Sequence, residues 1–238
     1  MKNSHWMGFF ALFLCCALLF SSVFYGAEQM LSSRIVSNEA QNAPVILIDA
    51  GHGGEDGGAV GVNGVLEKDL NLVVSGMLFD LLRVAGYTVV QTRTEDQLLY
   101  DAGTKKGHKK QGDLENRVKY TQKYPNSILV SIHMNTFPTP NCEGVQVWYS
   151  QNDASSEILA KQIQENVKLH LQPENNRRVK AATSGIYLLR HTMTPAVLVE
   201  CGFLSTPAEC ERLCDKDYQK KLALVLFDAI CENLDART

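Results

Sequence analysis

Two histidines and two glutamates, His52, Glu67, His133 and Glu200, are the residues of this 238-residue chain whose types and placement suit one piece of chemistry. Imidazole nitrogens and a carboxylate oxygen are zinc-type ligands, and three of them leave a fourth position open, which is the ligand count of a catalytic zinc. A further carboxylate beside such a centre can take the proton of an activated water and pass it to a leaving amine. His52, Glu67 and His133 are therefore read as ligands of one Zn2+ ion, and Glu200 as the general acid and base. The chemistry they point to is metal-assisted amide hydrolysis.

The elements that must position these residues are visible around them. Val45-Ile46-Leu47-Ile48 is a short, β-branched run, too brief for a buried helix, and reads as a central parallel strand ended by Asp49. The loop that follows holds Gly51, Gly53, Gly54, Gly57, Gly58, Gly61 and Gly64, with His52 inside it. Such glycine density suits positive φ and close backbone approach. Glu67 opens a helix whose apolar positions Leu66, Leu70, Val73, Met77, Leu81 and Val84 recur at spacings of three and four. Ser127–Ile132 is a second buried strand with His133 as its next residue, and Pro195–Val199 a third with Glu200 at its end. Three strands ending on chemistry place the site at the carboxyl edge of a sheet, where open α/β folds bind their ligands. The expected fold is α/β: a single domain with a twisted, mostly parallel sheet, helices on both faces and the active site at the carboxyl ends of the strands.

A phosphate loop is the rival reading of the glycine segment. It contains neither G-x-x-x-x-G-K-[ST] nor G-x-G-x-x-G, and Glu67 and Asp69 at the helix opening would repel a phosphate. A cation fits that end of the helix better.

The strings IDAGHGGEDGGA, Glu67 followed by Asn71, SIHMN, EGVQVWY and PAVLVECGFLS, in this order, resemble the successive motifs of the zinc-dependent N-acetylmuramoyl-L-alanine amidases, the type-3 amidase family of bacterial cell-wall hydrolases. The resemblance runs from Pro44 to the C-terminus. It implies one zinc on His52, Glu67 and His133, acid/base catalysis by Glu200, and peptidoglycan as substrate, cut between N-acetylmuramic acid and L-alanine during wall remodelling and cell separation. Asn135, Arg190 and Arg117 are candidate substrate contacts, Arg117 alternatively a packing residue. Asp49 and Asp56 can each act as an acceptor behind a ligand imidazole or accept loop N–H groups, the second role being favoured for Asp56. Some similar amidases insert a helix before the last strand that occludes the zinc until an activator displaces it. Here about ten residues, Pro173 to Ala182, join a helix over Asp153–Leu171 to an expected strand at Ser184–Leu189, too few for such an insert. A site open without an activator, on a monomer, is the expectation.

The rest of the chain frames that domain. Residues 1–27 carry Lys2 and then an uncharged apolar run over 6–27, read as a signal peptide or a retained N-terminal membrane anchor, and 28–43 as a linker. Export to the periplasm follows, with the membrane touched only through an uncleaved leader. A net charge of −3 shows no nucleic-acid footprint. Tyr87–Gln91 reads as a strand after a helix closed by Gly86, Asp101–Gly112 as a charged loop in which His108 is solvated, and Gly144–Tyr149 as an edge strand. Thr206-Pro207-Ala208-Glu209 has the pattern of a capping box, and Leu222, Val225 or Leu226, Ala229 and Leu234 form the buried stripe of a last helix.

Thiol and serine chemistry fit less well. Beyond Cys15 and Cys16 stand Cys142, Cys201, Cys210, Cys214 and Cys231, an odd number without a C-x-x-C pair. Cys210 and Cys214 share a helix face and either bridge to Cys231 or pack as small hydrophobes, and Cys201 should face away from Glu200. No S-x-x-K or K-T-G string is present. A metallo-carboxypeptidase acting on the stem peptide and a wall-binding protein with a degenerate zinc site remain as alternatives.

Overall fold

The short apolar runs that end on Asp49, His133 and Glu200 lie side by side in one sheet, level at their carboxyl ends. A computed structural model describes residues 44–139 and 142–236, and the leader and linker expected over 1–43 lie outside them. In chain order the elements are β1 (Val45–Ala50), α1 (Glu67–Val84), β2 (Val89–Gln91), α2 (Lys109–Lys123), β3 (Ser127–Asn135), β4 (Gln146–Tyr149), α3 (Ser155–His170), β5 (Lys180–Ala181), α4 (Tyr187–His191), β6 (Ala196–Phe203), α5 (Pro207–Cys214) and α6 (Lys216–Asp235). Among the described residues no helix is long and apolar enough to cross a membrane.

The six strands are ordered β2-β1-β3-β6-β4-β5. β2, β1, β3 and β6 run parallel, β4 is antiparallel to β6, and β5 is parallel to β4. The result is a single α/β domain with a mixed sheet, parallel in the half that carries the site.

Strand alternation divides the core in two. Ile46, Ile48, Ile128, Val130, Ile132, Val197, Val199 and Cys201 face one way and pack against Leu78 and Leu82 of α1, Leu159 and Ile163 of α3, and Leu222 and Leu226 of α6. Leu47, Leu129 and Leu198 face the other way, against Val118 of α2 and Leu188 and Leu189 of α4. Each such side chain contributes about 1.5–3 kcal/mol by leaving water, so the layers are held mainly by this burial. The second face matters for chemistry because parity assigns it Asp49, Ser131, His133 and Glu200, while Cys201 faces the opposite core.

Several boundaries depart from expectation. β4 is interior rather than at an edge, because β5 pairs beside it within the connection read as irregular. Ser184–Leu189 is not a strand: Leu188 and Leu189 are buried from a short helix, α4. α2 begins at Lys109, inside the expected charged loop. At α5 the Glu209 carboxylate turns inward to accept from Phe203 N at 2.8 Å and Gly144 N at 2.7 Å, so it ties β6 to the approach of β4 instead of closing a capping box.

Candidate metal centre

A strand that stops inside a protein leaves carbonyl oxygens without partners, and burying them unpaired is costly. At the end of β1 two buried arginines supply the missing donors. Arg117, from α2, donates to Ala50 O at 2.8 Å and His52 O at 2.7 Å, and Arg93, just after β2, donates to Ala50 O at 2.8 Å and Gly51 O at 2.9 Å. Asn71 of α1 adds a bond to Gly51 O at 3.1 Å. Under this grip His52 takes φ of +60°, which no other non-glycine residue among those described does. That left-handed turn is sparsely populated for a residue with a Cβ, and it aims the imidazole back over the sheet edge. Gly51 must be glycine, since a Cβ there would strike the His133 ring.

The ligand atoms of His52, Glu67 and His133 all lie within 4.8 Å of one another. Glu67 Oε1 stands between the rings, 2.9 Å from His133 Nδ1 and 3.2 Å from His52 Nε2. Ligand atoms around a tetrahedral zinc with bonds near 2.0 Å are about 3.3 Å apart, so the set is spaced to close on such an ion. The carboxylate is held from several sides: Oε2 accepts from Ala59 N at 2.8 Å, and Oε1 from Met134 N at 3.1 Å and Asn71 Nδ2 at 3.3 Å. Burial would raise the pKa of Glu67, but the two imidazoles outweigh it and hold the group far below the usual carboxylate range. Burial likewise opposes a charge on His52, yet Glu67 and then Asp56 raise its pKa. The pocket thus favours positive charge between its ligands.

Glu200 is paired in register with His133 across β3 and β6. Burial pushes its carboxyl up to about 7, helped by the like charge of Glu67 and opposed by His133 and His52. Its Oε2 is buried and has no hydrogen-bond partner among the described atoms. Native interiors rarely leave such an atom orphaned, and an orphan beside a ligand cluster suits a group waiting for substrate or water.

The other expected residues divide. Asn135 lies at the end of β3, past a register break that follows His133, half-exposed, with its Oδ1 accepting from Thr136 N at 2.7 Å. Arg117 is corrected from substrate contact to support, because its side chain is 2% exposed and its donors are spent on Asp49, Asp113, Ala50 and His52. Arg190 is also removed from the site. Its carbonyl is bound by Asn152, which follows Ser150, and Ser150 N donates to Ala196 O, so α4 sits at the amino end of β6. Glu200 is four residues further along, roughly 13 Å by strand rise.

Asp49 accepts from Arg117, from Thr92 Oγ1 at 2.7 Å and from Ser131 Oγ at 2.6 Å, rather than from a ligand imidazole. Burial would raise its pKa; Arg117 and the two hydroxyls overcome that and hold it at about 2. The role expected of Asp49 belongs to Asp56, whose Oδ2 is 2.9 Å from His52 Nδ1. An ionised Asp56 accepts, so Nδ1 donates and Nε2 keeps its lone pair for the centre. Lys110 then holds Asp56 at 3.2 Å. Arg93, two residues past the end of β2, went unnoticed in sequence as a buried support.

Comparison with known proteins agrees with this geometry. A family model described as N-acetylmuramoyl-L-alanine amidase matches residues 46–232. The chain is 34% identical over 230 residues to the germination-specific N-acetylmuramoyl-L-alanine amidase of Bacillus subtilis, covering 96% of this chain and 94% of that protein. It resembles the CwlD amidase of Clostridioides difficile, solved in complex with the GerS lipoprotein, with a TM-score of 0.77 and 37% identity over 81% of this chain and 99% of that one. A second N-acetylmuramoyl-L-alanine amidase structure, from Clostridium difficile 630, gives a TM-score of 0.71 and 29% identity over 83% of this chain and all of that one, 100%.

Proposed function

Because the chain belongs to the N-acetylmuramoyl-L-alanine amidase family, we propose that His52, Glu67 and His133 hold one zinc ion and that Glu200 moves the protons of amide hydrolysis. The enzyme acts on peptidoglycan, at the amide joining N-acetylmuramic acid to L-alanine. The observation that carries the site reading is the convergence of two imidazoles and a carboxylate within 4.8 Å, next to the orphaned Oε2 of Glu200.

The chemistry zinc supplies in such a centre is Lewis-acid activation of a water and of the scissile carbonyl. The chain's own residues do the rest. Asp56 fixes the His52 ring, the Arg117 and Arg93 grip sets the backbone beneath it, and Glu67 keeps its charge because His133 and His52 stabilise it. Glu200 Oε2 takes one proton from the attacking water as its oxygen bonds to the carbonyl carbon. The same carboxyl then gives a proton to the alanine nitrogen as the C–N bond breaks. A pKa of about 7 suits a group that must serve both ways near neutrality.

The apolar run over 6–27 supports export, with 28–43 as a linker to a catalytic domain over 44–238 acting as a monomer outside the cytoplasmic membrane. Two expectations change emphasis. Near full-length similarity to a germination-specific amidase favours that setting over cell separation. The connection Pro173–Ala182 holds β5 and no helix to cover the centre, but CwlD was solved with a lipoprotein bound, which favours a protein partner for this enzyme as well.

The test is digestion of purified peptidoglycan by the wild type, the chelated protein and a Glu200→Gln variant, with products identified by mass. Free stem peptide released only by the zinc-loaded wild type supports the reading. Loss of a terminal D-alanine alone would make the enzyme a carboxypeptidase, and wall binding without any product would make it a binding protein.

A further inference from the structure

Cys210 and Cys214 lie one turn apart on α5, and both sulfurs meet one side-chain amide. Cys210 Sγ donates to Asn63 Oδ1 at 3.3 Å, and Asn63 Nδ2 donates to Cys214 Sγ at 3.4 Å. The amide is itself fixed, since Oδ1 also accepts from Val65 N at 3.1 Å within a turn closed by Gly61 N to Val65 O at 2.8 Å. Cys210 is fully buried beneath Gly61, where a Cβ would come within 2.8 Å of the sulfur. Cys214 is half-buried and Asn63 exposed, which leaves the pair one side open to solvent. The hydrolytic centre uses none of these groups.

Distance decides between two fates for such a pair. A disulfide needs Cβ atoms about 3.5–4.5 Å apart. Residues four apart on a helix hold theirs about 5–6 Å apart, so a bridge would have to unwind α5. A cation between the sulfurs removes the mismatch, because two thiolate–metal bonds of about 2.3 Å span the gap with the helix intact. Thiolates select soft ions over magnesium or calcium. The geometry points to a second cation site in this protein, with Cys210 and Cys214 as thiolate ligands and Asn63 Oδ1 as an oxygen donor, for a thiophilic ion of the Cu(I), Cd2+ or zinc class.

Loading the site is ligand exchange without electron transfer: two sulfur–metal bonds form, and the two thiol protons leave to solvent. Because both thiols must lose a proton to bind, uptake strengthens as pH rises.

Cd2+ added to the reduced full chain, already loaded with zinc, is the probe. The expected result is one equivalent taken up with a thiolate-to-cadmium charge-transfer band and two thiols protected from a thiol reagent. Cys214→Ser is the decisive variant, being half-buried: it should abolish the band and leave peptidoglycan hydrolysis at the wild-type rate, while Cys231→Ser leaves the band intact. No band in the wild type, a band surviving Cys214→Ser, or one lost with Cys231→Ser overturns the site. None of these outcomes depends on the amidase reading.

Discussion

Arg117 Nη2 donates to the carbonyl oxygen of His52 at 2.7 Å, joining α2 to the residue that turns left-handed at the end of β1. The same guanidinium is ion-paired with Asp49 and, at 2.7 Å, with Asp113, all three buried. Removing one member of a buried pair leaves uncompensated charge and costs about 3–5 kcal/mol. Arg117→Met should therefore lower urea-unfolding stability by that order and reduce zinc content at a fixed free-zinc level. Arg117→Lys keeps charge without the fork and should recover only part of both. Unchanged zinc content in Arg117→Met would show that His52 does not need this support.

Asp56 makes a different prediction because it touches the His52 ring through Oδ2, while its Oδ1 accepts from the loop at Gly58 N, 3.4 Å away, as expected of it. Asp56→Asn should weaken zinc binding by roughly 10–100-fold, the usual effect of losing a partner behind a ligand. Competition against a chelator of known affinity measures it. Thermal stability of the zinc-free protein should move little.

Glu200→Gln should cut kcat on peptidoglycan by about 10²–10⁴-fold, the range of a general acid or base. Zinc stoichiometry should stay at one, which separates a proton-transfer role from a ligand role. Loss of the metal together with activity would assign Glu200 to the coordination set instead.

Acid stability reports on Asp49. Its folded pKa is about 2 against an ordinary 3.8, so its contribution is complete above about pH 4 and is lost as pH falls through 2. The shift corresponds to about 2 kcal/mol. Denaturant unfolding of the chelated protein should show the gap between wild type and Asp49→Asn narrowing by about that amount across this window. A gap constant with pH would mean that the pKa of Asp49 is the same in the folded and unfolded states.

Local chemistry was legible wherever one residue type had few alternatives. Short β-branched runs ending on Asp49, His133 and Glu200 declare buried parallel strands, and strand parity correctly turned Cys201 away from Glu200. Ser184–Leu189 misled for the complementary reason: a brief apolar run suits a strand or a helix equally, and packing of Leu188 and Leu189 under Leu129 and Ala196 chose the helix.

Partnership was not legible. Asp49 at the end of β1 and Asp56 in the loop after it are the same residue type seven positions apart, and the placement of α2 gives Asp49 to Arg117 while the loop turns Asp56 onto His52. Arg190 and Glu200 are ten residues apart, yet the direction of β4 and β6 puts α4 at the amino edge and the acid at the carboxyl edge. Residue types and spacing were enough for the family and for His52, Glu67 and His133 as a candidate ligand set. The tertiary structure decided which charges are buried together, because desolvation and ion pairing depend on side chains from distant elements meeting in space, which residue type and spacing do not encode.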